Sequence, residues 1–306
     1  MSLKSRLEHC ASAGALTLPF PGAGATPQRL KALADFGAAD LSLARLAEAH
    51  VDALAILAEA GHEPRSDVLY GVWASDTPPS HLECVRPDHG GWRIGGIKHF
   101  CSGATLIGAA LVTARDRDGI HLFDVPLHQD SVVPQPSRWV NQAFADTATT
   151  AVEFHDVEVS ARHHIGAAGW YLERPGFWHG SIGPAACWAG GALSLVQAAT
   201  RLNRRDSHSR AQLGALQATA WGVEAILEQA GREIDADAAD PTSARTRGLK
   251  VRHLIERACT DVLDRFGRAT GPQLLAYDAH VCMQHAALGL YIRQSHGERD
   301  LETIAN

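Results

Sequence analysis

The sequence has no CxxC pair: its six cysteines, Cys10, Cys84, Cys101, Cys187, Cys259 and Cys282, are scattered through 306 residues. Zinc modules and dithiol redox motifs use closely spaced thiols, so no metal site is predicted and the cysteines read as buried free thiols. Excess positive charge is also missing, with 28 Lys and Arg against 34 Asp and Glu, a net charge of -6 and a pI near 6.3. Nucleic acid affinity comes mainly from clustered cations that displace counterions, so no nucleic-acid partner is expected. No run reaches the roughly 18 continuous apolar residues of a membrane helix, and the first residues lack the charged-then-apolar layout of a signal peptide. A cytoplasmic protein without a membrane span is the expectation. No G-x-G-x-x-G follows a strand and opens a helix, which argues against a Rossmann unit. Internal repeats and low-complexity tracts are absent as well.

What is present is a globular composition, 45% hydrophobic and 20% charged, enough for one or two cores. Three textures follow one another. Residues 1–65 read as a helical domain ending in the stretch from Asp40 to Gly61, with Asp40 as N-cap and Gly61 as C-terminal stop. Leu43, Ala47, His50, Leu54 and Leu57 share its inner face, where His50 reads as a hydrogen-bonded core residue. Residues 66–165 alternate in short segments, Val68 to Ser75, Trp92 to Ser102, Gly108 to Asp116, Gly119 to Leu127 and Thr150 to Ser160. Turn residues separate them, and the pattern predicts an antiparallel β-domain, a sandwich or small barrel. Residues 166–306 are helical again. An Ala-rich stretch from Gly183 is followed by stripes on Leu213, Leu216, Ala220, Val223 and Leu227, on Val251, Leu254, Ile255, Ala258 and Val262, and on Leu274, Val281, His285, Leu288 and Ile292. These predict a C-terminal four-helix bundle, with a loop over Asp235 to Arg247.

The segment GWRIGGIKHFCSGA, Gly91 to Ala104, resembles a strand pair of the FAD-dependent acyl-CoA dehydrogenase family, in which a glycine turn leads to Lys, an aromatic residue and then Ser or Thr. YGVWAS, Tyr70 to Ser75, resembles the preceding flavin-contacting strand, with Ser75, Asp76, Thr77 and Pro78 replacing the usual Thr-Glu-Pro-Gly. Trp188 to Ala199 is similar to the first bundle helix, and the C-terminal YIRQSHGERDLETIAN adds a further match. The order of helices, β-domain and four-helix bundle is that of the family, so the resemblance spans nearly the whole chain. It implies an α+β multidomain fold and FAD as cofactor, with Trp73, Ser75, Phe100 and Ser102 against the flavin. It also implies an acyl-CoA or related small-molecule substrate, oxidation at a CH–CH bond and a homodimer or homotetramer. Usual members are longer, the difference falling in the N-terminal helical domain.

Departures from the family concern the chemistry. The family uses a Glu to remove the α-proton while hydride passes to the flavin. Its C-terminal signature laid on Tyr277 to Gly289 puts Ala286 at the Glu position, and the alternative on Gly183 to Gly191 puts Pro184 there. His285, which shares the apolar stripe, and Asp278, about two helical turns earlier, are the candidate substitutes, with His285 the preferred one. On the dinucleotide side, Arg204 and Arg205 survive without the usual Phe-Gly. In DRFGRATG, Gly267 is retained, Asp264 stands for Gln and Arg268 for a second Gly. Arg204, Gly267 and Arg268 are the cofactor candidates there. Three readings follow from these departures: an acyl-CoA dehydrogenase-like flavoprotein without the usual base, a flavin monooxygenase of the same fold, or a non-catalytic member binding a ligand or partner subunit.

Overall fold

The computed structural model describes residues 1–76, 81–88, 90–202 and 204–305. Helices α1 (Leu3–Ser12), α2 (Thr26–Ala39) and α3 (Leu41–Glu59) come first. Strands β1 (Tyr70–Trp73), β2 (Leu82–Val85), β3 (Trp92–Cys101), β4 (Ala109–Asp116), β5 (Gly119–Pro126), β6 (Val132–Pro134), β7 (Thr150–Val159) and β8 (His164–Ile165) follow. The rest is helical: α4 (Trp170–Glu173), α5 (Pro175–Gly180), α6 (Ile182–Leu202), α7 (Ser207–Ala236), α8 (Pro241–Thr270), α9 (Gln273–Tyr277), α10 (Ala279–Tyr291) and α11 (Glu298–Ala305). By compactness the chain divides into a β-rich unit, Met1–Thr17 with Ala49–Phe177, and a helical unit, Leu18–Glu48 with Trp178–Asn306. The N-terminal helices contribute to both: α1 and the latter part of α3 to the first, α2 and the start of α3 to the second.

In the β-rich unit the sheet runs β6-β7-β3-β2-β4-β5-β8, with β1 also paired to β4. β4 is buried from Ala109 to Ala114, as a strand covered on both faces must be. Ala53, Ile56 and Leu57 of α3 pack with Tyr70, Leu111, Leu122 and Ile165 into one core. The antiparallel expectation needs a correction. β1 runs parallel to β4 from Tyr70 and Ala109 to Trp73 and Val112, and β2 meets β4 in parallel at Glu83 and Arg115. The sheet is mixed because alternation reveals which face is buried and leaves strand direction open. A second correction concerns Gly95 and Gly96, which lie inside β3 instead of turning between two strands. Gly96 has φ +115°, a Cβ there would meet the His81 carbonyl oxygen at 2.5 Å, and the β3–β7 register slips between Ile94 and Gly96. The glycine thus serves a β-bulge.

α3 ends as its sequence predicts. Gly61 has φ +68°, and the His62 amide donates back to Leu57 O at 2.8 Å while Gly61 donates to Ala58 O at 3.1 Å, a Schellman closure. His50 is 8% exposed, and its Nδ1 accepts the Tyr70 amide at 3.1 Å. Burial lowers its pKa to about 4. The ring is therefore neutral, with its proton on Nε2, in agreement with the core reading.

In the helical unit α6 is the central element, buried from Ala185 to Ala192. The run Pro175–Leu202 is long and apolar enough by composition to cross a membrane, and 72% of its most apolar stretch is buried inside the protein, as in a core helix. α2 packs on α6 almost backbone to backbone. A Cβ on Gly190 would lie 1.9 Å from Ala34 O, and one on Gly37 would lie 2.2 Å from Cys187 O. The predicted loop over Asp235 to Arg247 is another correction, because α7 continues to Ala236 and α8 begins at Pro241. Pro241 fits the first helical turn, where its missing N–H costs nothing, and Asp240 caps the helix by accepting the Ser243 amide at 2.8 Å. Several predicted stripe residues also sit differently: Leu254 is 48% exposed, and Leu213, Ala220, Ala258, Leu274 and His285 are only half-buried.

Candidate functional site

Side-chain hydrogen bonds join the segment after β1 to the end of β3. Trp73 Nε1 donates to Ser102 O at 3.0 Å, and Ser75 Oγ donates to His99 O at 2.6 Å. Thr149 Oγ1 donates to Ser102 Oγ at 3.0 Å, and the Thr147 and Thr149 hydroxyls lie 2.8 Å apart. Trp73, Ser75 and Ser102, which are distant in sequence, are thereby gathered at one place. Thr77 and Pro78, expected in the adjoining loop, lie outside the described residues.

Phe100 stands at the same place in a costly conformation. Its φ is +58°, in the left-handed region that non-glycine residues avoid, and the β3–β7 register slips between Lys98 and Cys101. In a regular strand Lys98 and Phe100 would face the same way. The bulge parts them: Lys98 is 4% exposed and Phe100 is 59% exposed. The Lys98 ammonium donates to Thr113 O at 2.8 Å and to Thr113 Oγ1 at 2.7 Å, and burial lowers its pKa to about 8. It ties β3 to β4 from inside, while Phe100 opens onto a cleft.

That cleft has a volume of about 670 Å³, within the range of small-molecule sites. Ile97, Phe100 and Trp139 give it apolar surface, and His99, Gln135, Arg138, Thr149 and Glu153 give it polar groups. Three lining side chains are already fixed: Gln135 Nε2 donates to Glu153 at 3.0 Å, and Trp139 Nε1 donates to Ala143 O at 2.8 Å. Arg138 and Trp139 went unrecognised in the sequence, where the stretch between β6 and β7 shows no alternation. Ser102 is 9% exposed and reaches the cleft through its bond to Thr149, a lining residue.

Within the helical unit, the cofactor candidates gather at the C-terminal end of α8. A Cβ on Gly271 would come within 3.2 Å of the Arg204 guanidinium, so Arg204 lies against the residue that follows the helix. Gly267 has open space beside it, and Arg268 is paired with Asp264 at 2.7 Å. His285 sits on α10 with its ring 6.0 Å from that of the fully buried Phe266. A residue missed by the sequence reading is Gln284, 3% exposed. It donates to Gly37 O at 2.9 Å and accepts the Leu41 amide at 3.1 Å, joining the end of α2 to the start of α3.

No protein-family model and no curated protein sequence matches the chain. Solved structures do. TdsC from Paenibacillus sp. A11-2, in complex with FMN and indole, superposes with a TM-score of 0.81 at 17% identity, covering 92% of this chain and 82% of that one. The methanesulfinate monooxygenase MsuC from Pseudomonas fluorescens gives 0.77 at 15% identity, with 99% and 94% coverage. Butyryl-CoA dehydrogenase from Megasphaera elsdenii gives 0.78 at 14% identity, with 90% and 79% coverage. The chain has the acyl-CoA dehydrogenase fold.

The two positions that the sequence resemblance sets at the family's Glu carry no basic side chain. Ala286 is exposed on α10, and Pro184 lies in the first turn of α6. One acid does lie close to the second position. Glu48 of α3 is 9% exposed, and its carboxylate would be 2.6 Å from a Cβ on Gly183, the residue before Pro184. A side chain on residue 183 would require the Glu48 carboxylate to shift. Sequence spacing could not have found this acid, since it reaches Gly183 from another helix.

Proposed function

We propose that the protein is a flavin-dependent oxidoreductase acting on a small organic molecule without a Glu base at either family position, and that its reaction is a monooxygenation. The observation that carries this reading is the replacement of both Glu positions by Ala286 and Pro184, which have no basic side-chain atom. Desaturation of a thioester requires a base within hydrogen-bond reach of the α-proton, whereas oxygen transfer from reduced flavin and O₂ does not. Solved structures of the same fold support the reading, since TdsC is a dibenzothiophene monooxygenase and MsuC a methanesulfinate monooxygenase.

Trp73, Ser75, Phe100 and Ser102 would hold the flavin ring: the exposed Phe100 offers a flat apolar surface, and the Ser102 hydroxyl is positioned by Thr149. FAD is the cofactor implied by the family resemblance, with Arg204, Gly267 and Arg268 at its adenine end. The residues there favour the shorter FMN. Arg268 shares its charge with Asp264 in an exposed pair, and the C-terminal end of a helix presents carbonyl oxygens that repel phosphate. FMN is also the flavin in the TdsC and KijD3 complexes. The homodimer or homotetramer and the cytoplasmic setting belong to the same proposal.

The test begins with the absorption spectrum of the purified protein titrated separately with FMN and FAD. Binding of FMN at least as tight as that of FAD is expected. Oxygen consumption with chemically reduced flavin is then followed with indole, dibenzothiophene and methanesulfinate as probes, and substrate-dependent uptake with an oxygenated product supports the reading. Failure to gain flavin absorbance with either cofactor overturns it in favour of a non-catalytic protein. Flavin binding with rapid reduction by acyl-CoA overturns the monooxygenase part alone.

A further inference from the structure

Trp92 opens β3 and Phe100 stands near its other end, roughly 25 Å away along an extended strand. Around Trp92 the β-rich unit holds a polar cluster with no part in the flavin reading. β2 meets β4 at Glu83 and Arg115, which sets Cys84 beside Asp116, and β5 places His121 opposite Ala114 on the next strand. Cys84 Sγ, a carboxylate oxygen of Asp116 and a ring nitrogen of His121 all lie within 4.8 Å of one another. Cys84 is 2% exposed and His121 is 4% exposed. The two nitrogens of His121 have different partners: Nε2 is 2.9 Å from Asp116 Oδ1, and Nδ1 is 2.9 Å from His164 Nε2. The Trp92 ring covers both imidazoles, with centroids 4.7 and 4.8 Å away.

We propose that Cys84, Asp116 and His121 form a binding site for a divalent transition-metal ion of the zinc type, with His164 as the positioning residue behind His121. Thiolate, imidazole and carboxylate are the mixed donor set that zinc accepts and that calcium or magnesium does not favour. Metal–ligand bonds of about 2.0–2.3 Å put tetrahedral ligand atoms roughly 3.3–3.8 Å apart, so the cluster closes on an ion with shifts of about 1 Å. His121 meets a further requirement of a ligating histidine. With Nε2 on the metal, Nδ1–H donates to His164 Nε2, which fixes the tautomer and ring orientation. Binding balances as follows: the Cys84 thiol loses its proton to water, Asp116 binds as carboxylate, the His121 proton passes from Nε2, where it faced Asp116, to Nδ1, and His164 carries its own proton on Nδ1 so that its Nε2 can accept. Three protein ligands leave a fourth position for water. The sequence concealed the site because its ligands come from three strands without a spacing motif, and the prediction of no metal rested on spacing.

The test is titration of metal-free, full-length protein with Co(II), read as a difference spectrum so that bound flavin cancels. One equivalent is expected to produce a thiolate-to-cobalt charge-transfer band with tetrahedral d–d absorption, and Zn(II) should displace both. Cys84→Ser should abolish the charge-transfer band, while the exposed Cys282→Ser should keep it. His164→Gln should weaken Co(II) binding by roughly 10–100-fold. Absence of the band at one equivalent, or its survival in Cys84→Ser, overturns the proposal. Should Cys84→Ser fail to fold by circular dichroism, His121→Gln takes its place, and unchanged Co(II) affinity in that variant is equally decisive against the site.

Discussion

Asp235 and His50 show how one side chain can matter through a partner remote in sequence. α2 has Ala25 at its N-cap, which has no side chain to accept the free amides of the first turn. Asp235 of α7 does so instead, accepting from the Gly24 amide at 3.1 Å, the Thr26 amide at 3.0 Å and Thr26 Oγ1 at 2.5 Å. Asp235→Ala is expected to cost about 1–2 kcal/mol, read as a lower urea midpoint with an unchanged slope. His50 makes stability depend on pH. Its folded pKa of about 4 lies below the ordinary imidazole value of 6.5, so between these values the unfolded chain binds more protons. Stability is full above pH 6.5 and falls as pH drops toward 4, by about 3 kcal/mol from this group. His50→Gln, which can still accept the Tyr70 amide, is expected to flatten the decline between pH 7 and 5 in urea titrations. An equally steep profile in the variant would place the effect elsewhere.

Among the elements, the seam between α2 and α6 is the most constrained. The Gly-Gly in WAGGALSLVQAA reads in the sequence as a feature of the first bundle helix, and the packing supplies the reason for it. Gly190 faces Ala34 O where no Cβ fits, and Gly191 faces the Leu41 side chain with its nearest carbon 2.9 Å from an added Cβ. Gly190→Ala would have to push two backbones apart and is expected to cost about 3 kcal/mol or more, visible as a large loss of melting temperature or of soluble yield. Gly214 on α7 has nothing within 4 Å of an added Cβ. Gly214→Ala is expected to stabilise by about 0.5–1 kcal/mol through helix propensity and the unfolded chain. A comparable loss in both variants would mean that propensity, not packing, governs these glycines. The helix ends at Asp40 and Gly61 depend on local chemistry and were within reach of the sequence, whereas the cap at Asp240 was missed because the α7–α8 connection was read as a loop to Arg247. The short strands β2, β6 and β8 were out of reach as well, because two to four residues without longer alternating flanks cannot display a period.

For the whole molecule the sharpest expectation is chemical: saturated acyl-CoA thioesters should be desaturated poorly or not at all. General-base catalysis is typically worth roughly 10² to 10⁴ in rate, and Ala286 and Pro184 have no atom to supply it. Anaerobic mixing of flavin-loaded protein with short, medium and long acyl-CoA should therefore leave the flavin oxidised. Rapid bleaching abolished by Glu48→Gln would assign the base to that carboxylate, and bleaching abolished by His285→Ala would assign it to the ring beside Phe266. The sequence alone determined the order of helices, strands and helices, the caps, the inner faces of the longer helices and the short β3 signature around Lys98, Phe100 and Ser102. Each is written in neighbouring residues, through periodicity, capping or turn chemistry. Only the tertiary structure decided that β1 runs parallel to β4, that Phe100 turns outward at a bulge while Lys98 turns inward, that Glu48 lies against Gly183, and that Cys84, Asp116 and His121 converge. These depend on which segments become neighbours when distant stretches of chain pack together, and hydrophobic periodicity specifies the face a residue shows without specifying the partner it meets.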